Sequence, residues 1–381
     1  MAKARTPEGL IGRGEIDVRM TPIGSLSRSI SLSRSITLSR SITPGTRRLG
    51  SASFLAAVGL LTAACSTPGV STPARSLPSI ASASAPATSP ARAQQVTFTS
   101  SLAPFTLPQA LSRPTVFAAG QGLLVVGGLT AADTTTHEIL HIALPGGAVT
   151  PAGQLPVPVH DAAGAVVSGR DLVFGGGATA VTSAVQDVTP GSPSRVLSHL
   201  PQARADLVAV SDGTAGYVLG GFDGQQGSTS VLRTRDGRTF TVAGTLPVPV
   251  RYPAVAVNAG SIWLFGGEHD GKQVTDVQRI DLATGRGSVA GHLPNPLAHA
   301  GAFTLGGAVL IAGGRIGDTA TDLLLRFNPA DMRFTTAGHL PAGRSDFGVA
   351  LVDDTAYLVG GESPRPVDTV VQVRAQAGGT P

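Results

Sequence analysis

The chain holds one cysteine in 381 residues, Cys65, so no disulfide can form within it and packing alone must hold any fold together. Aromatic residues make up only 4% of it, with one tryptophan and three tyrosines, which leaves few flat platforms for stacking. No apolar run is long enough to span a bilayer. A basic surface is missing where it would count. The net charge is +4, but residues 1–95 carry 11 Lys/Arg against 3 Asp/Glu, while residues 96–381 carry 17 against 21. The positive charge therefore lies in a leader, and nucleic-acid binding has no electrostatic support.

Glycine (49) and proline (28) are abundant, as short strands and tight turns require. They recur with order. Leu-Pro pairs begin at Leu107, Leu155, Leu200, Leu246, Leu293 and Leu340. Gly-Gly pairs begin at Gly127, Gly175, Gly220, Gly266, Gly313 and Gly360, each 20 residues after its leucine. Successive units are 45 to 48 residues apart, which indicates a repeat architecture. A constant internal spacing with variable length elsewhere describes a rigid hairpin joined by adjustable loops.

Each unit reads as four strands. In the fourth unit the apolar run Ala254–Val257 meets a turn at Asn258-Ala259-Gly260. A second strand, Ser261–Phe265, stops at Gly266-Gly267, and a third follows a polar loop. The fourth is short, as in Phe240–Val242 and Phe334–Thr336. The last unit ends before its fourth strand, while an orphan of the same pattern, Val96–Ser100, precedes the first. Pairing the two closes a ring and removes two exposed edges. The expected fold is all-β, a six-bladed β-propeller over 96–381 whose N-terminal strand completes the last blade.

The segments before it differ in composition. Residues 1–46 include three near-identical hexapeptides between Ser25 and Ile42, a low-complexity leader whose start is expected to lie further downstream. Residues 47–65 pair Arg47-Arg48 with the apolar run Phe54–Leu61 and small residues, the pattern of a signal peptide. Its end, Leu61-Thr-Ala-Ala-Cys65, resembles the bacterial lipoprotein box. That resemblance implies lipidation at Cys65 and a membrane anchor on the outer face of the cell membrane; a cleaved secretion signal is the alternative. Residues 66–95, rich in Ser, Thr, Ala and Pro, read as a linker.

The glycine pairs, the aromatic before them (Tyr217, Trp263, Tyr357) and the period resemble kelch repeats across about 96–376. Kelch propellers bind partners at one end, through two sets of loops. Carried over by position, the first set contains Ser112, Arg113, His160, Asp161, Arg204 and Asp206, then Arg251, Tyr252, His299, Arg344 and Asp346. The second includes Phe222, Asp223, Glu268, His269, Arg315 and Glu362. Arg204/Asp206 and Arg344/Asp346 share an R-x-D spacing and read either as ligand binders or as braces between blades. Only Tyr252 and Phe222 offer stacking at such a mouth.

Two catalytic chemistries find no support. His137-Glu-Ile-Leu-His141 is an HExxH, but it falls on a third strand, where the histidines would stand about 13 Å apart. One zinc ion cannot bridge that distance. The copper–radical chemistry known on kelch-type propellers needs a Cys–Tyr crosslink, and the only cysteine is in the leader. No metal, cofactor or catalytic residue is assigned. The reading is a monomeric, exported binding module for a protein or carbohydrate. The alternative is an enzyme acting on a sugar, with a kelch-type sialic acid mutarotase as the family precedent. An acid and base with separated pKa values at the mouth would mark the enzyme.

Overall fold

A computed structural model describes residues 96–376 of the chain. The hexapeptides, the Cys65 motif and the linker lie outside the described residues. The described residues form a six-bladed β-propeller of four-stranded antiparallel sheets, with no helix among them.

Blade 4 shows how the sequence builds the unit. Its strands are Ala254–Asn258, Ser261–Phe265, Asp276–Asp281 and Gly287–His292, each paired with the next. Asn258 pairs with Ser261 across a two-residue turn, and Ala259 and Gly260 both take positive φ (47° and 71°). That is the turn whose twist matches the strands it joins. The second strand of the blade is buried along its whole length. It lies between two hydrogen-bonded neighbours within the sheet and between blades on either face, so it reads as a continuous apolar run rather than an alternating one.

The glycine pairs join blade to blade. The second glycine of each pair donates its N–H to a carbonyl of the following blade: Gly128 to Val159, Gly176 to Arg204, Gly221 to Val250, Gly267 to Leu297 and Gly314 to Arg344, at 2.8–2.9 Å. Gly361 then donates to Leu111 (2.8 Å), so blade 6 holds blade 1 as each blade holds the next. The first glycine of the pair sits against that same oxygen. A Cβ at Gly266 would lie 2.1 Å from the Leu297 carbonyl, and the backbone there has φ +61°. No L-residue fits such a position.

Closure follows the expected route. Thr97–Thr106 pairs with Thr369–Gln376 and supplies the outer strand of blade 6, with Phe98 opposite Ala375 and buried against Leu324, Leu340 and Val373. The strand runs further than Val96–Ser100 because the partner strand is long enough to pair with it. In blade 3 the outer strand is Thr241–Thr245, displaced from the expected Phe240–Val242. Phe240 precedes it and meets Phe174 of blade 2 edge-on at 6.3 Å. The HExxH residues run from His137, just before the third strand of blade 1, into that strand, Glu138–Ala143, with Ile139 opposite Val126 and His141 opposite Leu124. The extended backbone denies them the i, i+4 face that a zinc site on a helix uses.

Candidate functional site

Two loops of every blade meet at one end of the propeller. The residue five places after each Leu-Pro leucine faces the residue two places after the first glycine. The pairs are Ser112–Leu129, His160–Gly177, Ala205–Phe222, Arg251–Glu268, Ala298–Arg315 and Ser345–Glu362. The next residue of the first loop turns into the innermost strand. It is Arg113, Asp161, Asp206, Tyr252, His299 or Asp346, and all six have φ between 51° and 61°. Left-handed backbone is costly for a residue with a Cβ, of order 1–2 kcal/mol. None of the six is glycine, so each position keeps a side chain at the expense of strain. Their backbones also link around the axis. Asp206 N–H donates to Asp161, Tyr252 to Asp206, His299 to Tyr252, Asp346 to His299 and Arg113 to Asp346, all at 2.7–3.0 Å.

The six side chains line a recess of about 140 Å³. His299 is its most constrained member. Its Nδ1 lies 2.6 Å from Asp346 Oδ1 and its Nε2 3.3 Å from Glu268 Oε1, while its ring stacks on Tyr252 with centroids 4.0 Å apart. Both contacts are hydrogen bonds only if both nitrogens carry hydrogen. Burial opposes that charge, but the hydrogen bond and negative charge of Asp346, then Glu268, outweigh it and raise the His299 pKa. Asp346 also accepts from Ser345 Oγ (2.7 Å) and from Arg315 (3.2 Å), and Arg315 in turn pairs with Glu362. Burial pushes the Asp346 carboxyl up, yet His299, Ser345 and Arg113 together bring it down to about 2.

Asp161 has the opposite balance. Burial raises it and the charges of Asp206 and Asp346 add to the effect; Arg113, 3.1 Å away, opposes them without prevailing, and the pKa is pushed up to about 7. Beside it, His160 is lowered by burial and by Arg113, and its Nδ1 meets the Thr135 hydroxyl at 2.9 Å. Arg251 reaches Asp206 Oδ2 through Nε and Nη2, both at 2.6 Å, and lies over Phe222 at 4.7 Å. Burial, then Asp161 and Asp206, holds the Tyr252 hydroxyl above the usual tyrosine range. The mouth therefore presents both donors and acceptors, with an ionised carboxylate, Asp346, and a carboxyl pushed up to about 7, Asp161, on either side of Arg113.

Arg204 and Arg344 do not belong to this group. Each sits four residues after its leucine, turned into the blade and almost fully buried. Arg204 donates to the carbonyls of Gly220 and Ser230 and to Ser230 Oγ; Arg344 donates to the carbonyls of Gly360 and Thr369 and to Thr369 Oγ1. These bonds tie each arginine to its own blade, so they are neither ligand binders nor braces between blades. The same place holds Leu111, Val159, Val250 and Leu297 in the other blades, all buried. Asp223 caps its own loop by accepting from the N–H groups of Gln225 and Gln226, and His269 pairs with exposed Asp270; both stand outside the recess. Thr135 and Ser345 were not singled out from sequence. Ser345 had a visible signal, since it stands between Arg344 and Asp346 and faces Glu362.

Among the described residues, no group of three or more His, Cys, Asp or Glu side chains is placed to hold a metal ion. No family model matches the chain, and no curated protein matches it. Among solved structures it is similar to that of YjhT, with a TM-score of 0.61 and 18% identity over 71% of this chain and 99% of that one. The two share a fold. The likeness to YjhT thus covers a share of this chain comparable to the whole propeller, and at that identity it is one of architecture, not of ligand.

Proposed function

We propose that this protein is an exported, kelch-type binding module, anchored through Cys65 or secreted, that takes a small polyhydroxylated ligand at the mouth of its propeller. The observation that carries this reading is the recession of the ring. The side chains of Asp346, Asp161 and His299 are 2%, 8% and 9% exposed, yet they line a cavity. A flat protein surface would not reach them, whereas a ligand the size of one sugar ring would. Paired carboxylates and arginines with a stacked aromatic suit hydroxyl groups, which both donate and accept.

One observation favours a second reading, an enzyme acting on a sugar. Asp161 and Asp346 line one recess with pKa values pushed apart, to about 7 and about 2, which is how environments divide acid from base. Calorimetry of the full chain against a panel of neutral, amino and acidic monosaccharides tests both. A ligand whose binding is lost in Asp206→Ala/Arg251→Ala at unchanged melting temperature supports the module. Turnover of that ligand, lost in Asp161→Asn, makes it an enzyme. If no sugar binds while an envelope protein does, through Asp223 and His269 on the outer loops, the reading fails.

A further inference from the structure

The mouth is one positive charge short. Three carboxylates line its recess, Asp161, Asp206 and Asp346, against two cations, Arg113 and the protonated His299. Behind them Arg251 and Arg315 stand against Glu268 and Glu362 and leave the balance unchanged. Every one of these cations already faces a carboxylate. Arg251 is held by Asp206, Arg315 by Asp346 and Glu362, and His299 by Asp346 and Glu268. Arg113 is shared between Asp161 (3.1 Å), Asp346 (3.5 Å) and Glu362 (3.8 Å). The central shaft beneath, about 460 Å³, is lined by the free inner edges of the innermost strands and by no charged side chain, so it supplies no counter-charge.

The deficit falls on Asp161. Asp346 has three cationic neighbours and Asp206 has Arg251, whereas Asp161 has only a share of Arg113. His160, 3.6 Å away, is lowered by burial and by Arg113, and the raised Tyr252 hydroxyl brings no charge. Asp206 from blade 3 and Asp346 from blade 6 add to burial and push Asp161 up to about 7. We propose that the ligand of this mouth is a polyhydroxylated amine, an amino sugar or amino polyol, whose ammonium group sits beside Asp161 and Asp206 and supplies the missing charge. This rests on the mouth binding a sugar or polyol at all. An acidic sugar is disfavoured on the same grounds, since it brings a further carboxylate to a ring with no cation to spare. The ammonium also favours ionised Asp161, so the proton that Asp161 carries below neutral pH passes to solution on binding.

The probes are glucosamine, N-acetylglucosamine, glucose and glucuronate, titrated calorimetrically into the full chain at about pH 6.5 in two buffers of different ionisation enthalpy. A hydrogen bond between charged groups is roughly twice as strong as a neutral one, so glucosamine should bind about ten-fold more tightly than glucose or N-acetylglucosamine, with glucuronate weakest. The difference between buffers should show glucosamine alone releasing part of a proton. Both that release and the ten-fold advantage should vanish in Asp161→Asn, whereas an aspartate with a merely structural role would leave the release in place. Equal affinity for glucosamine and glucose, or tighter binding of glucuronate, overturns the charge assignment and leaves the mouth reading standing. No binding by any of the four overturns it as well; the wider monosaccharide panel then decides the mouth separately.

Discussion

Removing Arg344 should destabilise the propeller without touching ligand binding. Arg344 is 3% exposed and makes no ion pair, with only the charge of Asp368 nearby; its hydrogen-bond partners are two carbonyls and one hydroxyl of its own blade. Two effects oppose each other. Burial disfavours the charge and lowers the pKa of Arg344, so deleting the side chain relieves a desolvation penalty. Deletion also takes the Arg344 donor from the Gly360 carbonyl, at about 1–3 kcal/mol, removes one of two donors from the Thr369 carbonyl, which keeps the Gly360 N–H, and leaves a cavity. The carbonyl loss prevails in Arg344→Ala, by about 3 kcal/mol, which for a domain of this size lowers the melting temperature by roughly 6–12 °C. Arg344→Leu copies the residue type of Leu111 and Leu297, fills the space, and should fall between the two. Circular dichroism melts of the full chain read the shift. A Arg344→Ala protein that melts within a degree or two of the wild type but no longer binds ligand would refute the reasoning and return the arginine to the mouth.

Gly266→Ala puts a Cβ against the Leu297 carbonyl at positive φ and should cost about 3 kcal/mol or more in a denaturant titration, whereas Gly260→Ala, in an open turn, should cost about 1–2. Deleting Thr97–Thr106 uncovers the long strand Thr369–Gln376 and should shift the protein toward aggregates on size-exclusion chromatography; an unchanged elution profile would deny that this strand closes the ring. Stability should fall as pH rises from about 4 to 7. Asp161 binds its proton more tightly folded than unfolded, so its contribution is lost across that window, and the raised His299 acts in the same direction above the usual histidine range. Asp346 works the other way and loses its contribution only below about pH 4. Asp161→Asn should therefore narrow the gap between melting temperatures at pH 5 and pH 8, and an unaltered gap would place the titration elsewhere.

Much of the architecture is legible in the sequence because the contacts that define it are local and repeated. Every glycine pair stands 20 residues after its leucine, since both flank one hairpin whose ends are held in register where the fifth residue after the leucine pairs with the second after the first glycine. The ring at the mouth is legible for the same reason, as the sixth residue after each leucine. The roles of Arg204 and Arg344 are not legible from their own loops. R-x-D resembles a functional pair, but its two residues have opposite fates, because the left-handed aspartate turns the chain between cavity and blade interior. The corresponding Leu111, Val159, Val250 and Leu297 carry the signal that the arginine positions are interior. The charge network of His299, Asp346 and Glu268 is beyond a sequence reading, since its members come from three blades and their separation depends on how the ring closes.

The most direct test of a ligand site at the mouth is a crystal structure of the protein soaked with whichever monosaccharide binds best in the calorimetric panel. The account predicts density for that sugar above the stacked rings of Tyr252 and His299, within hydrogen-bond distance of Asp161 or Asp206. Density on the outer loops around Asp223 and His269, with the recess holding only water, would contradict it.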